Sequence, residues 1–309
     1  MTNTPLSIDA VRSAGAIARA DLPPTPGHAL GMSADLRRLI ESYGMSHAGN
    51  VRDVNEDHFV TAALQRSVQL RQTNLEDVQL FDRLSGPRAY LFAVADGVGG
   101  SAGGRVASAS AVATIVEYLG EVVGAYHGYG AAQLKDFPEH LTTAVQRAHD
   151  HLVDTYRLHT RGGPATTLTL AMLVWPTAYI VHVGDSRVYH LRDGALRCLT
   201  RDQTVGEALV ALNVMPREKA EQAGLYNVLA SAIGARDMTP AVDVIPLERG
   251  DKFLLCTDGL TKHVSESRLG HVLETSPDAE TACRTLIDSA LAAGGSDNVT
   301  AVVARVLPG

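Results

Sequence analysis

In this 309-residue chain, four aspartates and one arginine have the spacing best suited to chemistry. Asp96 ends the apolar run Tyr90-Leu91-Phe92-Ala93-Val94-Ala95 and is followed by Gly97, Gly99 and Gly100. Asp185 and Asp258 likewise close the runs that begin at Tyr179 and Phe253, and Asp297 follows Gly294-Gly295 just ahead of Val299–Val306. One Asp-Gly after a strand reads as an ordinary turn. A carboxylate at the end of a buried strand is costly unless a cation or several donors meet it, so four of them imply that the strand ends converge. Converging carboxylates without cations would repel one another and be driven to protonate. Oxygen-only ligation selects hard ions, Mg2+ or Mn2+, and disfavours zinc for want of Cys or His ligands. Two such ions sharing a carboxylate can activate a water for in-line attack on phosphorus. Arg52, beside Glu56 and Asp57 in the polar segment Gly49–Phe59, offers the fork that binds an oxyanion. These residue types together describe a phosphoester hydrolase.

The elements that must position these groups are legible from periodicity. Residues 59–64 and 90–95 read as strands, joined by a polar excursion over 65–88. Helical spacing runs from Gly103 to about Tyr126 and again from about Phe137 through Tyr156. Thr166–Val174 and Ala178–Val183 form a hairpin about Pro176, and Val188–Leu191 and Leu196–Leu199 form another about Asp193-Gly194. A helical and irregular lobe, expected to be mobile, occupies 201–235. Strands follow at Val242–Leu247, Lys252–Cys256 and Val299–Val306, with a helix capped near Ser276 and Pro277 at its first position. Residues 1–40, with Pro23-Pro24-Thr25-Pro26, read as a mobile extension with a short helix near 8–20. A helical turn at about 33–42 leads into a domain spanning 41–309. His140, His149, His151 and His159 are expected to be solvated.

The ordered set Arg52-x-x-Asn55-Glu56-Asp57, Asp96-Gly97-x-Gly99-Gly100, Gly184-Asp185-Ser186-Arg187, Asp258-Gly259 and Asp297-Asn298-x-Thr300 resembles the metal-dependent protein phosphatase family, type 2C, and its bacterial serine/threonine members above all. The resemblance implies an α+β fold: a four-layer α-β-β-α sandwich of two antiparallel sheets flanked by helix pairs. By that likeness Asp96 bridges two metal ions and, with the phosphate-gripping Arg52, is catalytic. Asp258 and Asp297 complete the first metal site, while the Gly97 carbonyl and a water held by Glu56 serve the second. Asp185, with Asp258, matches a third, weaker site. Thr166-Thr167 is expected to be structural, and Ser186 and Asn298 to orient neighbouring carboxylates. Many eukaryotic members carry a histidine proposed as general acid where this chain has Val98. The lobe at 201–235 matches the family's variable flap. The implied activity is hydrolysis of phosphoserine and phosphothreonine in proteins, opposing a bacterial Ser/Thr kinase. A pseudophosphatase would have lost metal carboxylates, yet Asp96, Asp258 and Asp297 are present; a stress-regulator phosphatase on the same fold stays open.

Composition fits this picture. With 27 basic against 34 acidic residues, a net charge of −7 and no basic tract, nucleic acid is not an expected partner. Cys198, Cys256 and Cys283 have no CxxC spacing, which points to reduced thiols and a cytoplasmic setting. No signal peptide is evident. The longest apolar stretches carry Glu117 and Glu121, or Pro176, so no membrane partner is expected either.

Overall fold

A computed structural model describes residues 39–66, 86–98, 103–125, 136–156 and 163–308. One five-stranded sheet contains β1 (Ile40–His47), β8 (Arg187–Arg192), β9 (Ala195–Cys198), β11 (Lys252–Cys256) and β12 (Val299–Val306), in the order β1-β12-β11-β8-β9. The other contains β2 (His58–Arg66), β3 (Gly86–Ala95), β6 (Leu168–Val174), β7 (Thr177–Val183) and β10 (Ala241–Pro246), in the order β10-β7-β6-β3-β2. All pairings within both sheets are antiparallel. A short pair, β4 (Gly97–Val98) with β5 (Ala165–Thr166), sits where the Asp96 strand ends.

The period of two along each strand sorts side chains into three apolar layers. Phe92, Val94, Ile180, Val188, Phe253, Leu255, Val302 and Ala304 meet between the sheets. The alternate residues Leu91, Ala93, Leu170, Met172 and Val181 face α1 (Gly103–Ala125) and α2 (Phe137–Tyr156). On the other outer face, Leu254, Cys256, Ala301 and Val303 face α6 (Glu266–Thr275) and α7 (Ala279–Ala292). This is the expected α-β-β-α sandwich. Strands buried on both faces read as unbroken apolar runs, which is why β3, β6, β7, β11 and β12 stood out in the sequence. Gly103–Val123 has the length and apolar composition to cross a membrane, but here Ala107, Ala111, Ile115 and Leu119 pack on the sheet.

Two expectations need correction. The helical turn at 33–42 is strand from Ile40 onward, because Ile40 pairs with Val306 at the sheet edge; 33–38 lie outside the described residues. The last helix is capped by Asp278, whose Oδ1 accepts the Thr281 N–H at 2.7 Å, and Ser276 instead ends α6. Ser276-Pro277-Asp278 offers two cap-competent side chains, and the amphipathic run 266–275 takes up the first. The short helix near 8–20, most of the 65–88 excursion, and His159 lie outside the described residues. Of the other helix histidines, His151 is exposed, whereas His149 Nδ1 accepts the Gly234 N–H and His140 contacts the Tyr118 hydroxyl.

The lobe over 201–235 contains α3 (Val205–Ala211) and α4 (Arg217–Gln222), followed by a single 3-10 turn at Leu225–Asn227. Its two ends are stitched together: Val205 N–H donates to the Val228 carbonyl, and Ala230 N–H to the Gln203 carbonyl, both at 2.8 Å. It meets the sandwich through Thr166 and Ile233, which exchange backbone hydrogen bonds of 3.0 and 2.9 Å.

Two buried polar groups, Asp251 and His182, lie outside the strand-end cluster. Asp251 takes a bidentate Arg192 fork at 2.7 Å on each oxygen, the Glu248 N–H at 2.8 Å, and has His190 Nε2 at 3.1 Å. Burial pushes its carboxyl up, but these partners outweigh it and hold it well below the usual range. Asp251→Asn should therefore destabilise the protein by about 3 kcal/mol, measured as a shift in denaturant midpoint. His182 bonds Thr169 through Nδ1 at 2.8 Å and the Arg201 carbonyl through Nε2 at 3.1 Å. Burial lowers its pKa to about 4 from 6.5. The stability it contributes is complete above about pH 6.5 and drains away as pH falls toward 4, since the unfolded chain takes the proton first. His182→Gln should flatten the fall in melting temperature across that window.

Candidate metal centre

Asp96 is fixed by its backbone before its carboxylate is considered. Its N–H donates to Thr167 Oγ1, and its carbonyl accepts both the Thr167 N–H and Thr166 Oγ1, each at 2.9 Å. Thr167 Oγ1 is also 2.9 Å from Ser186 Oγ, and Thr169 Oγ1 donates to the Ser186 carbonyl at 3.1 Å. The Thr-Thr pair thus locks the end of β3 to the turn that carries Asp185. Just beyond, the Gly97 backbone passes so close to Gly104 that a Cβ on Gly97 would lie 2.3 Å from the Gly104 carbonyl oxygen. Only glycine permits that approach.

The second half of the site hangs on Asp57 and Asn298. Asp57 is buried, and its Oδ2 accepts Thr257 Oγ1 at 2.8 Å and Thr300 Oγ1 at 2.7 Å. Asn298 Oδ1 accepts the Glu56 N–H, while its amide donates to the Ala48 and Val54 carbonyls, all at 2.9 Å. One side chain therefore ties the Arg52 loop to the start of β12. Asp258 opens the one-turn α5 (Asp258–Thr261). At Gly259 a Cβ would sit 1.9 Å from the Asn298 carbonyl oxygen, so this residue lets α5 close on the Asp297-Asn298 turn.

All expected site residues line one cleft of about 860 Å³: Arg52, Glu56, Asp96, Gly97, Asp185, Asp258 and Asp297. Lobe residues 227–232 and Ala235, with Arg236 and Asp237 just beyond the lobe, form part of its wall. Burial, then the charges of Asp57, Asp258, Asp185 and Asp297, drives the Asp96 carboxyl well above its ordinary range. Burial, with the charges of Asp258 and Asp297, raises Asp57 to about 7 despite its two threonine donors. Asp185 also rises to about 7, through burial and the charges of Asp258 and Asp202. Asp297 goes the other way: burial is overcome by Lys262, 3.0 Å from Oδ2, and by Arg52 Nε, 2.9 Å from Oδ1.

Among the described residues, no three acidic, His or Cys side chains close into one coordination sphere as they stand. The donor set nevertheless fits hard cations. Buried Glu56 Oε1, Asp57 Oδ1 and Asp258 Oδ1 have no hydrogen-bond partner, and such orphans cost free energy unless something positive meets them.

Two features lay beyond sequence reading. Lys262 reaches Asp258 Oδ2 at 2.6 Å and lines the cleft. Its i,i+4 spacing from Asp258 was available, but no helix was expected there. The wall formed by the lobe and the adjoining Arg236 depends on tertiary packing that no local pattern encodes. Val98 is 42% exposed on the cleft lining, where it offers no proton.

Known proteins share this arrangement of sheets. The family model for protein phosphatase 2C matches residues 65–298. The serine/threonine protein phosphatase PstP of Mycobacterium tuberculosis is 34% identical over 220 residues, covering 71% of this chain and 41% of that protein. The chain thus spans about two fifths of that relative's length. The serine/threonine phosphatase stp of Listeria monocytogenes is 30% identical over 217 residues, covering 68% of this chain and 82% of the relative. The catalytic domain of PstP, solved in complex with two manganese ions, superposes with a TM-score of 0.66 at 30% identity, over 87% of this chain and 99% of that one. With a family match over most of the chain and the sandwich it requires, this protein belongs to the protein phosphatase 2C family.

Proposed function

We propose that the protein is a Mg2+- or Mn2+-dependent phosphatase that hydrolyses phosphoserine and phosphothreonine in proteins, opposing a bacterial Ser/Thr kinase in the cytoplasm. The observation that carries this reading is the gathering of strand-end carboxylates around one open cleft, with buried oxygens that lack donors. Asp96, Asp258 and Asp297 would hold one ion; Asp96, the Gly97 carbonyl and Glu56 through water would hold a second; Asp185 with Asp258 would hold a third, weaker one. When bound, the ions neutralise phosphate charge and acidify water. The chain's own residues do the rest. Arg52, 55% exposed at the cleft, has a guanidinium free to turn toward a phosphate while keeping contact with Asp297. Thr166, Thr167 and Ser186 keep Asp96 and Asp185 in register, and Asn298 holds Glu56 at a fixed height above β12. Val98, on the cleft lining where a histidine could stand, has no proton to give the leaving alkoxide. Cys256 and Cys283 are buried and free and Cys198 is exposed and free, in keeping with a reducing compartment.

Hydrolysis of p-nitrophenyl phosphate should require added Mn2+ or Mg2+ and vanish in excess chelator; turnover that survives the chelator would overturn the reading. Asp96→Ala should lower kcat by about 10³-fold or more with the circular dichroism spectrum unchanged. Arg52→Ala should act mainly on KM, raising it about tenfold, and an unchanged KM would remove Arg52 from phosphate binding. Phosphoserine and phosphothreonine peptides should be cleaved well ahead of a phosphotyrosine peptide.

A further inference from the structure

Lys262 occupies an unusual place for a cation. It follows the single turn of α5, and its ammonium lies 2.6 Å from Asp258 Oδ2 and 3.0 Å from Asp297 Oδ2. Those two aspartates come from different elements, the start of α5 and the turn before β12, and Lys262 is the group that joins them. The inner oxygen of Asp258 meanwhile has no donor, and neither do Glu56 Oε1 and Asp57 Oδ1 deeper in the cluster. The lysine therefore neutralises the outer side of the carboxylate group and leaves the inner oxygens bare. Its side chain is 38% exposed, on a flexible four-carbon stem, so it has an open path into solvent.

We propose that Lys262 is a tethered counter-ion that stands in for a divalent cation between Asp258 and Asp297, stabilising the metal-free fold and competing with metal for those carboxylates. This rests on the metal-centre reading above. An ammonium carries one positive charge and can offer each carboxylate a single hydrogen bond, whereas a divalent ion offers two charges to both at once. Metal must displace Lys262 or bind against its charge, and the protein's requirement for free metal is set higher as a result. Lys262 touches neither substrate nor reacting atoms in this role; it acts through Asp258 and Asp297.

The test compares wild type with Lys262→Met, Lys262→Gln and the charge-keeping Lys262→Arg, using Mn2+ alone as the probe. Isothermal titration of metal-stripped protein should give Mn2+ binding about tenfold tighter in the Met and Gln variants, and near wild type in the Arg variant. Thermal melts should show the metal-stripped Met and Gln variants melting below wild type, with a larger rise on adding Mn2+, as linkage requires. Circular dichroism identifies any variant that fails to fold, and the remaining neutral variant then carries the comparison. Mn2+ affinity that is unchanged or weaker in the folded neutral variants would overturn the counter-ion role while leaving the metal centre intact. No Mn2+ binding by any of the proteins would overturn both.

Discussion

Negative charge crowded into one end of a dry sandwich is the constraint on which the rest of this structure depends. Asp57, Asp96 and Asp185 are all driven upward in pKa by burial and by neighbouring carboxylates, Asp258 among them in each case, and no packing of apolar residues can relieve that. The protein tolerates the conflict because the strand ends cannot move apart. β3, β6, β7, β11 and β12 are buried on both faces, so shifting one carboxylate would disturb the layer between the sheets and an outer layer at once. Repulsion is held in place by hydrophobic packing and partly offset by Lys262 and Arg52 at the rim.

A layer of neutral donors sits between that scaffold and the charges. Thr166, Thr167, Thr257, Asn298 and Thr300 each bond a carboxylate or the backbone of a residue that carries one, and Ser186 braces Thr167. None adds charge and nearly all are fully buried; they fix geometry, and the Thr257 and Thr300 hydroxyls offset part of the burial of Asp57 without outweighing it. The glycines at 97 and 259 serve the same end by allowing backbones to touch where any side chain would wedge them apart.

Much of this was legible in the sequence because period-two burial and strand-end aspartates are local signals. Apolar runs marked the core strands, and the carboxylates at their ends marked the cleft. What escaped notice was set by contacts between distant segments. Lys262 matters only because α5 lies against the Asp297 turn. Ser276 read as the cap of the last helix, but the helix before it ends there, so the cap passes to Asp278 and Pro277 falls before the helix. At Ile40, pairing with Val306 made strand of what local pattern read as helix. The Thr-Thr pair was recognisable as structural, but its grip on the Asp96 backbone required the fold.

The lobe between β9 and β10 leaves and rejoins the sandwich at nearly the same point. Gln203 and Val205 bond Ala230 and Val228 across its neck, and Thr204 bridges Leu229. Everything from 205 to 228 is thus a closed loop hung on one clasp, with Ile233 fastening the clasp to Thr166 and hence to the Asp96 strand. Such a module can diverge or be exchanged whole without altering the floor of the cleft, provided the clasp survives. The fold thereby keeps the floor of the cleft and the lobe beside it as separable parts.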